Sequence, residues 1–259
     1  MARRQIAGLR VLVTGASSGI GRELVLQLVR QGAKVVAVAR RAERLQALVE
    51  EAAVGDALVT VCGDITKPEV REKSVEKSQE VFGGLDAIIN NAGIGAVGLF
   101  EDSSSDTLRQ VMETNFFAPV ELIRSALGVL KKGHHPIIVN MSSVLGHRAV
   151  PKKSEYCASK FALHGFSDAL RAELRSEGID LLLVSPSTTH SEFFDAALGD
   201  GQAGKGKFGG MPADKVARRT LRAMCLGRHE TILSVGGTIL VWIDRLCPPL
   251  ANRLVAWFG

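Results

Sequence analysis

Thr14-Gly-Ala-Ser-Ser-Gly-Ile-Gly21 closes the first apolar run of the chain, Arg10-Val-Leu-Val-Thr14, and opens a helical pattern over Gly19–Gln31. Gly15, Gly19 and Gly21 let the backbone turn tightly and come close to a bound group. The N-terminus of the helix they open favours an anion. A bare glycine triplet carries little information. A triplet set between a strand and a helix is the context of a dinucleotide-binding loop.

The same alternation continues outward from this loop. Short runs rich in Val, Leu and Ile mark strands at Arg10–Thr14, Lys34–Ala39, Ala57–Cys62, Ala87–Asn90, Pro136–Met141, Asp180–Ser185 and Thr231–Ser234. Continuous apolar runs of this length suit strands buried on both faces. Helical patterns near Gly19–Gln31, Arg41–Ala53, Pro68–Phe82, Ser104–Lys131, Ser154–Glu177 and Pro212–Leu226 fill the gaps, with Pro68 and Pro212 as first-turn prolines. Together they predict an α/β fold of the Rossmann type, a doubly wound parallel sheet of about seven strands with helices on both faces. In such a sheet a ligand binds at the carboxyl ends of the strands, where strand order reverses.

Composition narrows the class. The 259 residues are 46% hydrophobic, enough for a sizeable core, and no linker or repeat divides them. Residues 1–235 therefore read as a single nucleotide-binding domain, and 236–259 as an apolar tail. The net charge of +5 is spread over isolated basic pairs with no nucleic-acid signature, so nucleic acid is not expected as a partner. Cys62, Cys157, Cys225 and Cys247 form no Cys-x-x-Cys pair, and no histidine cluster has metal-ligand spacing. The sequence thus predicts no metal site, reduced thiols and a cytoplasmic setting. Arg3 and Arg4 precede an apolar stretch as in a leader, but that stretch runs directly into the glycine loop. Ala2 does not fit N-myristoylation, and no run of 18 apolar residues marks a membrane span.

The second strand ends Val38-Ala39-Arg40-Arg41, with no acid before Glu43. An NAD site usually places an acid here for the ribose hydroxyls, whereas a planar guanidinium can pair with a 2′-phosphate. Arg40 therefore favours NADP (NADPH) over NAD.

The only tyrosine, Tyr156, stands in Tyr-Cys-Ala-Ser-Lys160, one helical turn from the lysine on the same face. Ser143 lies upstream. A phenol, an ammonium and a hydroxyl beside a phosphate loop can move a proton alongside a hydride. A free phenol has a pKa near ~10, and a nearby cation is expected to lower it.

With these residues the chain resembles the short-chain dehydrogenases/reductases in their single-domain form, over about residues 6–235. The resemblance implies that Gly15, Ser17, Ser18, Gly19, Ile20 and Gly21 hold the cofactor. It gives Asp64 and its neighbour Ile65 the adenine, and it matches Asn90-Asn91-Ala92-Gly93 to the motif after the fourth strand. Asn115 would hold a relay water, and Ser143, Tyr156 and Lys160 would form the catalytic set, Lys160 also gripping the nicotinamide ribose. Pro186, Thr188, Thr189 and Ser191 would keep the nicotinamide end. The family usually reads Pro-Gly where this chain reads Pro186-Ser187. Homo-oligomers are common among such proteins.

The function so implied is interconversion of a carbonyl and an alcohol on a small molecule, Tyr156 acting as general acid/base. A nucleotide sensor with little turnover, and a sugar-nucleotide epimerase or dehydratase, are the other readings. His147 and His190 fall near the pocket mouth, with an exposed loop histidine as the plainer expectation for each; His134 and His135 look like turn residues. Phe193, Phe194 and the glycine-rich stretch to Gly210 suggest a substrate lid at about 190–211. The tail, with Trp242, Arg245, Arg253 and Trp257, suits either protein packing or peripheral membrane contact.

Overall fold

The computed structural model describes residues 4–190, 192–193, 197–199 and 210–258, with only the backbone for 257 and 258. Ser191, Phe194 and most of the glycine-rich stretch lie outside the described residues. The chain runs β1 (Arg10–Thr14), α1 (Gly19–Arg30), β2 (Lys34–Ala39), α2 (Ala42–Ala52), β3 (Leu58–Cys62), α3 (Pro68–Phe82), β4 (Ala87–Asn90) and β5 (Ala96–Val97). Next come α4 (Ser105–Met112), α5 (Ala118–Leu130), β6 (Ile137–Met141), α6 (Ser154–Leu174), β7 (Asp180–Ser185), β8 (Thr189–His190), β9 (Leu198–Gly199) and β10 (Met211–Pro212). The last elements are α7 (Ala213–Cys225), β11 (Glu230–Ile232), α8 (Val235–Leu246) and α9 (Pro248–Phe258).

Seven strands form one sheet in the order β11-β7-β6-β4-β1-β2-β3, every pairing parallel. The order reverses between β1 and β4, which pair from Val11 with Ala87 to Val13 with Ile89. The loops after these two strands therefore diverge to opposite sides and leave a crevice at their carboxyl ends. Val11, Leu12, Val13, Ile88 and Ile89 are fully buried, because helices cover both faces. One core layer joins α1 and α7 to the sheet, and the other joins α3, α5 and α6 to it. The continuous apolar strand runs follow from this double cover.

Local signals set most helix ends. Pro68 starts α3 and Gly83, left-handed at φ +76°, ends it. Ser104 caps α4, its Oγ accepting from Thr107 N at 3.1 Å. Three expectations need correction. Pro212 stands just before α7 rather than in its first turn, with its neighbour Met211 paired to Thr189. The pattern over Ser104–Lys131 is not one regular helix: α4 and α5 are joined by a π-helical turn, Glu113–Phe117. The last sheet strand is Glu230–Ile232 rather than Thr231–Ser234, ending early because Ser234 turns to cap α8.

Candidate active site

The crevice between β1 and β4 is built from backbone. Gly15 sits at φ +67°, and a Cβ there would come within 2.8 Å of Ala92 Cα. A Cβ on Gly21 would collide with the carbonyl oxygen of Gly15. Thr14 and Asn91 lock the two loops together. Thr14 Oγ1 accepts from the backbone N–H groups of Asn91 and Ala92, each at 3.0 Å, and Asn91 Nδ2 donates to the Thr14 and Gly15 carbonyls at 3.0 and 3.3 Å. Ser18 precedes α1 in extended backbone and makes no side-chain cap, which leaves the helix N-terminus available to an anion. These features fit a dinucleotide pyrophosphate. Asp64 accepts from Thr66 N at 3.0 Å and so shapes the turn after β3, with Ile65 buried beneath it.

At the end of β2, Arg41 rather than Arg40 turns into the glycine loop. Its guanidinium donates to Ser17 Oγ at 2.9 Å and Ser18 Oγ at 2.8 Å, while Arg40 is exposed. Glu192 places a carboxylate 2.6 Å from Arg44 and 3.4 Å from Arg41, and Arg44 first, then Arg41, holds that carboxyl below its ordinary range. Sequence reasoning stopped at the first arginine. Both follow the end of β2, and Arg41, in extended backbone just before α2, is the one that reaches the loop.

On the other side of the crevice, α6 carries Tyr156 and Lys160, and the end of β6 leads to Ser143. Ser143 stands beside the Tyr156 hydroxyl and acts to lower its pKa, and its Oγ accepts from Leu145 N at 3.1 Å. The adjacent Ser142 has a buried Oγ without a partner, so Ser143 is the serine that faces the phenol. Lys160 is buried; its Nζ donates to the Met141 carbonyl at 2.9 Å and lies 5.8 Å from the Tyr156 ring centre. Desolvation lowers the Lys160 pKa to about 8. Desolvation also pushes Tyr156 up to about 12, against the lowering by Ser143. The expected lowering of the phenol by Lys160 is thus not what this site does: burial prevails and keeps the hydroxyl protonated.

The π-helical turn explains Asn115. A π-turn inserts an extra residue into a helix and re-aims the side chains beyond it. Asn115 points inward, fully buried: Oδ1 accepts from Ile94 N at 2.8 Å, and Nδ2 donates to Ile94 O and Ser159 Oγ, each at 3.0 Å. A Cβ on Gly93 would lie 3.1 Å from Asn115 Oδ1 and 3.8 Å from Lys160 Nζ. Gly93, Asn115 and Lys160 therefore meet at one point behind Tyr156.

Pro186 accepts from Val144 N at 2.9 Å, tying the end of β7 to the segment after Ser143. Ser187 has no positive φ, so the usual glycine is not required there. Thr188 is exposed with its carbonyl on Met211 N, and Thr189 Oγ1 donates to Ser187 O at 3.2 Å. Both stand beside the crevice without forming part of the Ser143–Tyr156–Lys160 group. Phe193 meets the Tyr156 ring edge-on, with centres 5.7 Å apart. His190 is exposed as expected. His147 is not an exposed loop residue: its imidazole is 2% exposed.

The tail forms two helices. The inner side of α8 packs on the segment after Ser143, where a Cβ on Gly237 would reach Val144 Cγ2 at 2.6 Å. Arg148 fastens it further, bonding Asp244 at 2.8 Å and Asn252 at 2.6 Å. Val235, Ile239, Trp242 and Leu246 share the outer side and are exposed. Among the described residues no helix is long and apolar enough to cross a membrane.

Comparison with known proteins places this geometry. The short chain dehydrogenase family matches residues 10–200. Dehydrogenase/reductase SDR family member 7B of Bos taurus is 32% identical, with 98% of this chain and 82% of that protein aligned. Among solved structures, a short chain dehydrogenase from Burkholderia cenocepacia in complex with NADP is 31% identical, with a TM-score of 0.78 over 91% of this chain and 100% of the other. A short chain dehydrogenase/reductase from Burkholderia phymatum in complex with NAD has a TM-score of 0.87 at 23% identity, covering 95% and 96%, and shares the fold.

Proposed function

Because the chain belongs to the short-chain dehydrogenase/reductase family and is an NAD(P)-dependent oxidoreductase, we propose that it interconverts a lipophilic ketone or aldehyde and the corresponding alcohol, using NADP and Tyr156. The observation that carries this reading is the placing of Tyr156 beside Ser143, with the buried Lys160 Nζ 5.8 Å from its ring centre. When bound, the nicotinamide cofactor supplies or takes up the hydride. The residues of the chain do the rest. Tyr156 donates its phenolic proton to the carbonyl oxygen in reduction and accepts one in oxidation. A phenol that stays neutral up to about 12 is set as a donor. Ser143 polarises the same oxygen. Lys160 holds a positive charge behind the phenol and, with Asn115, lines the route by which the proton is replaced.

The loop of Gly15, Ser17, Ser18, Gly19, Ile20 and Gly21 would hold the pyrophosphate, with Asn91, Ala92 and Gly93 closing the crevice. Asp64 and Ile65 would take the adenine, and Pro186, Thr188 and Thr189 the nicotinamide end. Arg41, with Arg40 and Arg44 beside it, supports NADP. Arg41 and Arg44 already hold one carboxylate, that of Glu192, at the end of β2, and guanidinium forks suit a phosphate. Phe193 lays apolar surface against Tyr156, which favours a lipophilic carbonyl.

Oxidation of NADPH and NADH across a panel of lipophilic and polar carbonyls tests the reading. The expected result is turnover with NADPH and preference for lipophilic substrates. Preference for NADH would remove the arginine assignment.

A further inference from the structure

Beyond Gly146, on the side of the segment away from the crevice, three ligand-bearing side chains converge from separate elements. His147 comes from the turn after β6, His164 from α6 and Glu230 from β11. One ligating atom of each lies within 4.8 Å of the others. Nothing in their sequence spacing groups them; the sheet and α6 do.

Two polar atoms in this cluster are buried without a hydrogen-bond partner, Nδ1 of His147 and Oε1 of Glu230. Buried polar atoms are seldom left so, and each such case calls for an explanation such as a missing ion. Nε2 of His147 stands 2.8 Å from Ser185 Oγ and 3.3 Å from Glu230 Oε1. Nδ1 of His164 stands 3.2 Å from the Gly146 carbonyl, which can only accept. With its proton on Nδ1 the neutral His164 ring carries its lone pair on Nε2, which stands 3.4 Å from Asp168 Oδ2, a further carboxylate at the group. Two cations border the group: Arg148, which bonds Asp244 at 2.8 Å while its Nε stays buried without a partner, and Arg245, which stands over the Trp242 ring at 5.9 Å and lines the adjoining cavity. A cavity of about 260 Å³ lined by His147, His164, Asp244 and Arg245 opens beside the group and gives an entry path.

We propose that His147, His164 and Glu230 form a binding site for a divalent transition metal, with Zn²⁺ the best match. Two imidazoles and one carboxylate are a zinc set that leaves a fourth position for water. Zinc ligands at roughly 2.0–2.2 Å from the metal sit closer together than the spread seen here. Glu230, whose side chain is 34% exposed, has room to swing and close that gap. The site would not touch the reacting atoms. It would pin the turn after Ser143, the helix of Tyr156 and Lys160, and the outer strand β11 to one another, making its three ligands positioning residues.

The test uses the full chain stripped with EDTA and titrated with Zn²⁺ alone, by calorimetry and by thermal melting, and with Co²⁺ by visible absorption. Expected are one saturable Zn²⁺ per chain, a melting temperature that climbs with free Zn²⁺, and a visible Co²⁺ band. His164→Ala and Glu230→Gln should each weaken binding by more than about tenfold and lose the Co²⁺ band, while melting like the parent without metal. The exposed Cys62 and Cys247 are the competing thiols. Zn²⁺ binding that both variants retain, or no saturable binding by the parent, overturns the site.

Discussion

The two halves of the crevice work by different means. On the β1–β4 side the crevice is lined by backbone, with glycines that admit no Cβ and an uncapped helix N-terminus, and the uncharged side chains of Thr14 and Asn91 hold its loops. On the β6–β7 side it is lined by ionisable side chains whose protonation has been shifted by burial, Tyr156 upward and Lys160 downward. Backbone can hold an anion but cannot exchange a proton at neutral pH. The first half therefore reads as binding and the second as chemistry, and substitutions should separate them.

The largest effect is expected from Tyr156→Phe. Loss of a general acid typically lowers rates about 10²–10⁴-fold. kcat should fall by that order, while NADPH affinity by fluorescence titration stays unchanged; a variant keeping most of its kcat would end the Tyr156 assignment. Arg41→Ala tests the opposite half. Hydrogen bonds to charged groups are worth about 1.5–3 kcal/mol, or roughly 10- to 100-fold. KM for NADPH should rise by that factor with little change for NADH. A larger effect from Arg40→Ala would return the role to the residue that takes the place of the acid at the end of β2.

The pH dependence separates the halves next. With Lys160 titrating near 8, kcat/KM for reduction should fall above about pH 8 as the ammonium is lost. Lys160→Arg stays charged and should remove that limb. Stability should respond too. The folded value for Lys160 lies below its ordinary 10.5, so the folded chain holds fewer protons between about 8 and 10.5, and this group makes stability rise with pH there. Tyr156, raised to about 12, acts oppositely between 10 and 12, and its contribution is lost as pH rises. Melting curves against Lys160→Met, whose rise with pH should be absent, check the first sign.

The smallest effects belong to the outer side of α8. Trp242→Ser should change stability by no more than about 0.5 kcal/mol and leave turnover of a small water-soluble carbonyl unchanged. Gly237→Val on the inner side should disturb both, because its Cβ would press on Val144, next to Ser143. Equal effects from the two would mean that the helix does not brace the catalytic segment.

Much of this was legible because the signals are local. Strand–glycine–helix order around Gly15, the Tyr156–Lys160 spacing and the apolar strand runs all depend on neighbours in sequence. The parts that were not legible depend on distant neighbours. The π-turn at Glu113–Phe117 looks like ordinary helix in sequence, and its need appears only where Asn115 must reach Ile94 and Ser159. That Arg41 bonds Ser17 and Ser18 while Arg40 is exposed depends on how the turn from β2 into α2 meets the glycine loop. His147 reads as a loop residue, yet α6, β7, β11 and α8 close around it.

By itself the sequence determined the α/β order, the glycine loop between β1 and α1 and the spacing of Tyr156 and Lys160, because periodicity and glycine placement act over a few residues. Only the tertiary structure decided the pKa shifts of Tyr156 and Lys160, the bonds from Arg41 to Ser17 and Ser18, the one-sided docking of α8 and the meeting of His147, His164 and Glu230. Those properties come from burial and from through-space distance, and both are set by elements far apart in the chain.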